Sequence, residues 1–245
     1  MQPSDSPDFP RRLRWPSWLF PFLAAMLSLS LIPFSEQLAP HLPVLLKRLP
    51  LLWLFDAAKQ FAATITMVTI CIATWTLMPR RRATILVFLI ALFFTTATCQ
   101  TLKTVAGRVR PFNAILMNEQ EQDRQWVNTY VQQHPDTGLR AEPHNQWLGF
   151  SLTRPENSGH FDSFPSGHTY SAFLLAALLS VLYPRLTWLW LCWATACALE
   201  RVAGRMHYIE DVLMGAALGW FIPNWIFSWR WPVQVSEMVL RKMKK

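Results

Sequence analysis

Charge is what this chain has least of. Of its 245 residues only 16% are Asp, Glu, Lys or Arg, while 52% are hydrophobic; a soluble domain of this length carries nearer a quarter charged residues. That deficit excludes an ordinary water-facing surface over much of the molecule. Cysteine is sparse too. Cys71, Cys99, Cys192 and Cys197 all fall inside apolar runs, where they read as small packing residues and suggest neither a disulfide framework nor a CxxC metal site. The chain shows no repeat at a solenoid period and no low-complexity tract.

Apolar blocks are what it has instead. Trp15–Phe34, Phe61–Met78, Ala83–Leu102, Thr169–Tyr183, Leu186–Leu199 and Val212–Trp229 contain no Asp, Glu, Lys or Arg. A membrane-spanning helix needs about 20 apolar residues, so the pattern predicts an all-α fold, a six-span transmembrane helical bundle, with residues 1–245 forming a single integral-membrane domain. The fourth and fifth blocks are short and must borrow polar neighbours, Ser166-Gly167-His168 and Glu200-Arg201. Ionisable groups at membrane depth mark functional sites. The first block follows Arg11, Arg12 and Arg14, but its length and the absence of a clean small-x-small cleavage site read as a span and not as a signal peptide.

With the N-terminus inside, the inner loops hold Arg11, Arg12 and Arg14, then Arg80-Arg81-Arg82, then Arg185, then Arg230 with Arg241, Lys242, Lys244 and Lys245. This satisfies the positive-inside bias, and the net charge of +8 suits anionic headgroups. Nothing resembles a nucleic-acid module. The extracytoplasmic segment between spans three and four, about 103–168, is the sizeable part outside the membrane. Within it Trp126, Val127, Tyr130 and Val131 sit at helical spacing and predict a short amphipathic helix on the outer leaflet.

This topology brings three polar clusters to one membrane face: "KTVAGRVRP" (Lys103–Pro111), "PSGH" (Pro165–His168) and "RVAGRMHYIED" (Arg201–Asp211). Lys103, Arg110 and Arg201 supply cations; the planar guanidinium fork suits phosphate oxygens and lysine adds a point charge. Ser166 and Gly167 at a helix start add a hydroxyl and free N–H groups on the positive end of a helix dipole. His207 and Asp211 are four apart and share a helix face, where a carboxylate bonded to one ring nitrogen fixes the tautomer and activates the other. His168 is then a second imidazole, free to act as an acid.

Lys103-x6-Arg110-Pro111, Pro165-Ser166-Gly167-His168 and Arg201-x5-His207-x3-Asp211 together closely resemble the three-part signature of the type-2 phosphatidic acid phosphatase superfamily, membrane lipid phosphatases related to vanadium haloperoxidases. Length, six spans and a long outer segment look most like its bacterial branch of phosphatidylglycerophosphatase B and undecaprenyl-diphosphate phosphatases. The resemblance implies a multi-pass protein of the bacterial inner membrane with its active site on the periplasmic side. It implies hydrolysis, with no metal and no cofactor, of a lipid phosphate or diphosphate such as phosphatidylglycerophosphate, undecaprenyl diphosphate or phosphatidate. His207 would attack phosphorus to give a phosphohistidine, Asp211 would orient it, and His168 would protonate the leaving oxygen and then activate water. Lys103, Arg110, Arg201, Ser166 and Gly167 would hold the phosphoryl oxygens.

One position departs from the signature: Glu200 stands where relatives carry serine. A carboxylate there would repel phosphate unless it turns aside to pair with Arg201 or Arg205. Arg108 and Arg205 are out of register with the signature and read as helpers or headgroup contacts. His160 belongs to the first of two Ser-Gly-His copies and reads as a surface histidine, as do His41, His134 and His144. Three rivals remain open at this point: a phosphotransferase using the same intermediate, a non-enzymatic lipid-binding transporter, and a metal-dependent hydrolase, which the surrounding cations oppose.

Overall fold

The computed structural model of the chain describes residues 18–39, 41–47, 52–111, 132–133, 147, 149–150, 162–229, 234–236 and 238–240. The segment expected to form an amphipathic helix, and His134, His144 and His160, lie outside the described residues. Among those described there is no strand; the one β-type contact is an isolated antiparallel bridge between Arg108 and Trp147. In chain order α1 is Leu19–Leu31, followed by a 3-10 turn at Ile32–Phe34 and the short α2, Ser35–Leu38. Then come α3 (His41–Lys47), α4 (Leu52–Phe61), α5 (Thr64–Leu77), α6 (Arg82–Ala106), α7 (Gly167–Leu182), α8 (Thr187–Ala203) and α9 (Ile209–Ser228).

The fold is all-helical, as the apolar blocks predict. Two stretches, Leu19–Leu38 and Pro79–Ala106, are long and apolar enough to cross a membrane by themselves. A third arises if α4 and α5, bent by 56° at their junction, form one broken span. Outward-facing Leu27, Ile65, Ile72, Phe93 and Trp188 are all exposed. Large apolar side chains turned out on several helices make this a membrane protein, because water would penalise such a surface.

The short fourth block becomes the centre of the molecule. Every residue of α7 from Ala172 to Leu182 is buried, so this helix is apolar all round because protein surrounds it. One side packs with Phe55 and Ala58 of α4, Ala194 and Cys197 of α8, and Ala216 and Trp220 of α9. The other meets Met67 of α5, Val87, Phe88 and Ala91 of α6, and Ile222 and Ile226 of α9.

Contact between α7 and α9 depends on two glycines four residues apart. A Cβ on Gly215 would lie 2.8 Å from the Ser166 carbonyl oxygen, and one on Gly219 would lie 2.4 Å from that of Tyr170. Small residues at this spacing let two backbones touch. The consequence is functional: Ser166 donates its backbone N–H to the Asp211 carbonyl at 3.0 Å, so the start of α7 and the start of α9 are held side by side.

Candidate active site

Four helix ends meet at the site. The C-terminus of α6 brings Lys103, the start of α7 brings Ser166, Gly167 and His168, the C-terminus of α8 brings Arg201, and the start of α9 brings Asp211. Helix α6 stops because Gly107 takes a left-handed conformation (φ 51°) and returns its N–H to the Lys103 carbonyl at 2.9 Å, a geometry glycine adopts without a Cβ penalty. The chain then turns back toward the bundle, carrying Arg108 and Arg110.

The turn after α8 places His207 by the same logic. The last carbonyls of a helix need donors, and here the following loop supplies them: Gly204 N–H to Glu200, Arg205 N–H to Val202, and Met206 N–H to Arg201 at 3.0 Å, with His207 N–H also reaching the Arg201 carbonyl at 3.3 Å. Arg205 adopts φ 57° to make this tight reversal. The nucleophile candidate and Arg201 are thus fixed to each other by backbone.

His207 is 3% exposed. Its Nδ1 faces the Ser163 carbonyl oxygen at 2.7 Å, while Asp211 Oδ2 is 3.7 Å away. The i, i+4 spacing leads one to expect a direct bond between ring and carboxylate. His207 instead precedes α9, whose N-cap Tyr208 is extended, so the capping turn and not a shared helix face brings the two together, and the carboxylate is taken up elsewhere. Oδ2 accepts from Ser163 Oγ at 2.5 Å and from the Tyr208 N–H at 2.9 Å, and Oδ1 from Arg108 Nη1 at 2.5 Å. A carbonyl oxygen can only accept, so Nδ1 carries the proton and Nε2 is left with the lone pair. Burial pushes the His207 imidazole down to about 4, against the pull of Asp211 and with help from Arg110 and Lys103.

The expected cations converge. Lys103 is buried, and its Nζ donates to the Asp162 carbonyl oxygen at 2.5 Å. Arg110 is half-buried, and its Nε is enclosed without a hydrogen-bond partner among the described residues. Burial lowers the Arg110 pKa; Asp162 and Asp211 oppose this and the neighbouring Arg201 adds to it. Glu200 engages Arg201 bidentately, Nε to Oε2 and Nη2 to Oε1, the latter at 2.6 Å. The carboxylate therefore turns onto its neighbour's guanidinium. Ser166 is buried at the N-cap of α7, but its hydroxyl makes no capping bond and accepts from Thr169 Oγ1 at 2.9 Å. His168 alone of the group is exposed, and Arg201, Glu200, Lys59 and Arg110 are the charges that act on it.

Arg108 corrects the sequence reading. Expected as a helper or headgroup contact, it is instead fully buried. Its guanidinium joins Asp211 and Glu210, each at 2.5 Å, donates to Ser35 Oγ at 2.8 Å, and lies over the Tyr208 ring at 3.9 Å. Glu210, fully buried, also takes a bond from Ser35 Oγ and offers its carbonyl to Ser28 Oγ at 2.8 Å. Sequence reasoning missed Glu210, Ser35 and Ser163. One signal was present: an adjacent Glu-Asp pair opening an apolar helix needs a buried cation, and Arg108 was one of two arginines, with Arg205, that the signature left without a role.

Residues 82–234, more than half of the chain, match the PAP2 superfamily. The chain belongs to that superfamily, as its three motifs suggest. Short stretches resemble particular members. Bacitracin transport permease protein BcrC of Bacillus licheniformis is 40% identical over 58 residues, 24% of this chain and 29% of that protein. A lipid A 1-phosphatase of Rhizobium etli is 36% identical over 73 residues, 29% of this chain and 32% of that protein. The match thus spans about a third of these relatives' length. The crystal structure of Aquifex aeolicus LpxE shares the fold, with a TM-score of 0.51 at 22% identity, covering 78% of this chain and 94% of that one.

Proposed function

We propose that the protein is a metal-independent lipid phosphatase that removes the terminal phosphate of a membrane phospholipid or isoprenoid diphosphate through a phosphohistidine at His207. The setting of His207 carries this reading: a neutral imidazole, its Nδ1 proton committed to the Ser163 carbonyl, beside three cations, Lys103 from the end of α6, Arg110 from the turn after it and Arg201 from the end of α8. Nε2 attacks phosphorus, the P–O bond to the lipid breaks, and protonated His168 gives its proton to the leaving oxygen. His168, now neutral, takes a proton from water; the hydroxide attacks phosphorus, the P–N bond breaks, and phosphate leaves with His207 neutral again. Lys103, Arg110 and Arg201, with Ser166 and the Gly167 N–H, hold the equatorial oxygens as charge develops.

Two observations support a lipid guest. An apolar groove of about 800 Å³ between α5, α6 and α7, lined by Met67, Ile72, Leu89 and Phe93, reaches Tyr170 and Ser171, less than a turn from His168. A lipid A 1-phosphatase is among the relatives. The six-span layout, with both termini inside and the site facing the periplasm of the inner membrane, accords with the arginines at the far end of α6, Arg80–Arg82, and before α8, Arg185. Metal independence rests on charge: Lys103, Arg110 and Arg201 would repel a cation beside either imidazole.

The experiment is phosphate release by purified protein in detergent, with excess chelator, from phosphatidylglycerophosphate, undecaprenyl diphosphate, phosphatidate and diacylglycerol diphosphate. Release from at least one supports the reading. Activity lost to chelator and restored by a divalent cation points to a metal hydrolase. Label appearing on a second lipid identifies a phosphotransferase, and binding without turnover a transporter.

A further inference from the structure

Ser163 touches the three groups that define the nucleophile's setting. Its backbone N–H donates to the Arg108 carbonyl at 3.0 Å, its carbonyl receives His207 Nδ1 at 2.7 Å, and its hydroxyl donates to Asp211 Oδ2 at 2.5 Å. It is fully buried. Each of its polar groups is therefore spent, and each on a different part of the site.

We propose that Ser163 is a positioning residue that keeps the Asp211 carboxylate off the His207 ring while its own carbonyl holds that ring. The inference rests on the lipid-phosphatase reading only for the part His207 plays in turnover. The geometry is a competition. Asp211 Oδ2 lies 3.7 Å from Nδ1, one small rotation short of a charge-assisted hydrogen bond, and is restrained there by the Ser163 hydroxyl and the Tyr208 N–H. A carboxylate bonded directly to an imidazole favours the protonated ring, and a protonated ring cannot attack phosphorus. A carbonyl fixes the same tautomer without adding a negative charge. The carboxylate stays near enough to balance the positive charge that appears when Nε2 takes the phosphoryl group. The charged groups acting on His207 are Asp211 from α9, Arg110 from the turn after α6, and Lys103 from α6; removing the Ser163 hydroxyl changes none of them except Asp211, which it frees.

Ser163→Ala should let Asp211 close on Nδ1 and make the imidazole more basic. The first test needs no substrate: a pH titration of ¹⁵N-histidine-labelled full-length protein in detergent, with the His207 signal assigned by its loss in His207→Gln. The wild-type midpoint is expected near the about 4 that burial imposes, and the Ser163→Ala midpoint at least one unit higher. Ser163→Cys, close in volume and a poor donor, should move the same way, and Ser163→Thr should stay with wild type. The second test is kinetic, on whichever lipid the protein hydrolyses. The wild-type to Ser163→Ala ratio of kcat/KM should be at least about fivefold larger at pH 4 than at pH 8, the change in neutral imidazole that a shift of the midpoint from about 4 to one unit higher produces there, with KM little changed. A merely structural role would lower activity by the same factor at every pH. An unmoved His207 midpoint in both Ser163→Ala and Ser163→Cys, or a pH-independent loss, would overturn the proposal. Inactivity of the wild type on every lipid would sink the phosphatase reading instead and leave the titration to decide this one.

Discussion

Arg108 Nη1 meets Asp211 Oδ1 at 2.5 Å with both side chains fully buried, and the same guanidinium reaches Glu210 at 2.5 Å. The first motif is thereby bolted to the third through a residue that the motif spacing leaves unspecified. Cutting such a cluster leaves charge stranded in the interior, at a cost of about 3–5 kcal/mol for a buried pair. Arg108→Ala should strip two carboxylates of their partner and lower thermal stability in detergent severely. Combining it with Glu210→Ala should recover part of the loss, because one stranded charge goes with it. A double variant as unstable as the sum of the singles, measured in a thermal double-mutant cycle, would mean that Arg108 and Glu210 act independently.

Gly215 and Gly219 make separable predictions. Overpacking a close helix contact costs about 1–3 kcal/mol, and the clash is tighter at Gly219 (2.4 Å) than at Gly215 (2.8 Å). Gly219→Ala should therefore lose more stability. Gly215 abuts Ser166 itself, so Gly215→Ala should lose more activity per folded molecule. Equal effects of the two on both measures would count against the view that the α7–α9 approach sets the site.

The engagement of Glu200 with Arg201 accommodates a carboxylate at the one position that departs from the resembled signature. It occupies the Nε and Nη2 donors of Arg201 and does not need to face the phosphate. Glu200→Ser should keep kcat within about tenfold, roughly 1.4 kcal/mol in the barrier, and change chiefly KM or the ranking of lipids. A Glu200→Ser protein as dead as His207→Ala would make Glu200 part of the chemistry.

His207 also ties stability to pH. Its folded value of about 4 lies below the ordinary histidine value of 6.5, so the unfolded chain takes up a proton first as pH falls. The contribution is complete above pH 6.5 and is lost between there and about pH 4, a loss of roughly 3 kcal/mol by linkage. His207→Gln should flatten that part of the stability profile relative to wild type. Parallel thermal-melting profiles for the two proteins between pH 7 and pH 4 would show that the imidazole is not held neutral by the fold.

Much of the site was legible because it is local. The close spacing of His207 and Asp211 put them near one another, although through the cap of α9 and not the shared helix face expected, and motif spacing put Lys103, Arg110, Ser166 and Arg201 at or just beyond helix ends that converge once the helices pack. All-helical structure followed from apolar blocks, whose length is a one-dimensional property. What escaped depends on contacts between distant segments. That Ser163 takes Nδ1 from Asp211 is a matter of 44 residues of separation, and the partnership of Ser35 with Arg108 spans 73. Periodicity carries no information at that range. The extension of the second apolar block into α4, at a 56° bend, escaped for a different reason: Asp56 and Lys59 interrupt the hydrophobic run, although Phe55 and Ala58 beside them face the core.

The identity of the nucleophile is tested most directly by trapping it. Purified protein is mixed with lipid labelled in its terminal phosphate, quenched within milliseconds by denaturant at high pH, and the labelled peptide is mapped. The account predicts acid-labile label on His207, absent from His207→Ala and, because His168 serves both steps, both formed and lost more slowly in His168→Ala. Label on His168, or turnover with no covalent label under any quench time, would contradict it.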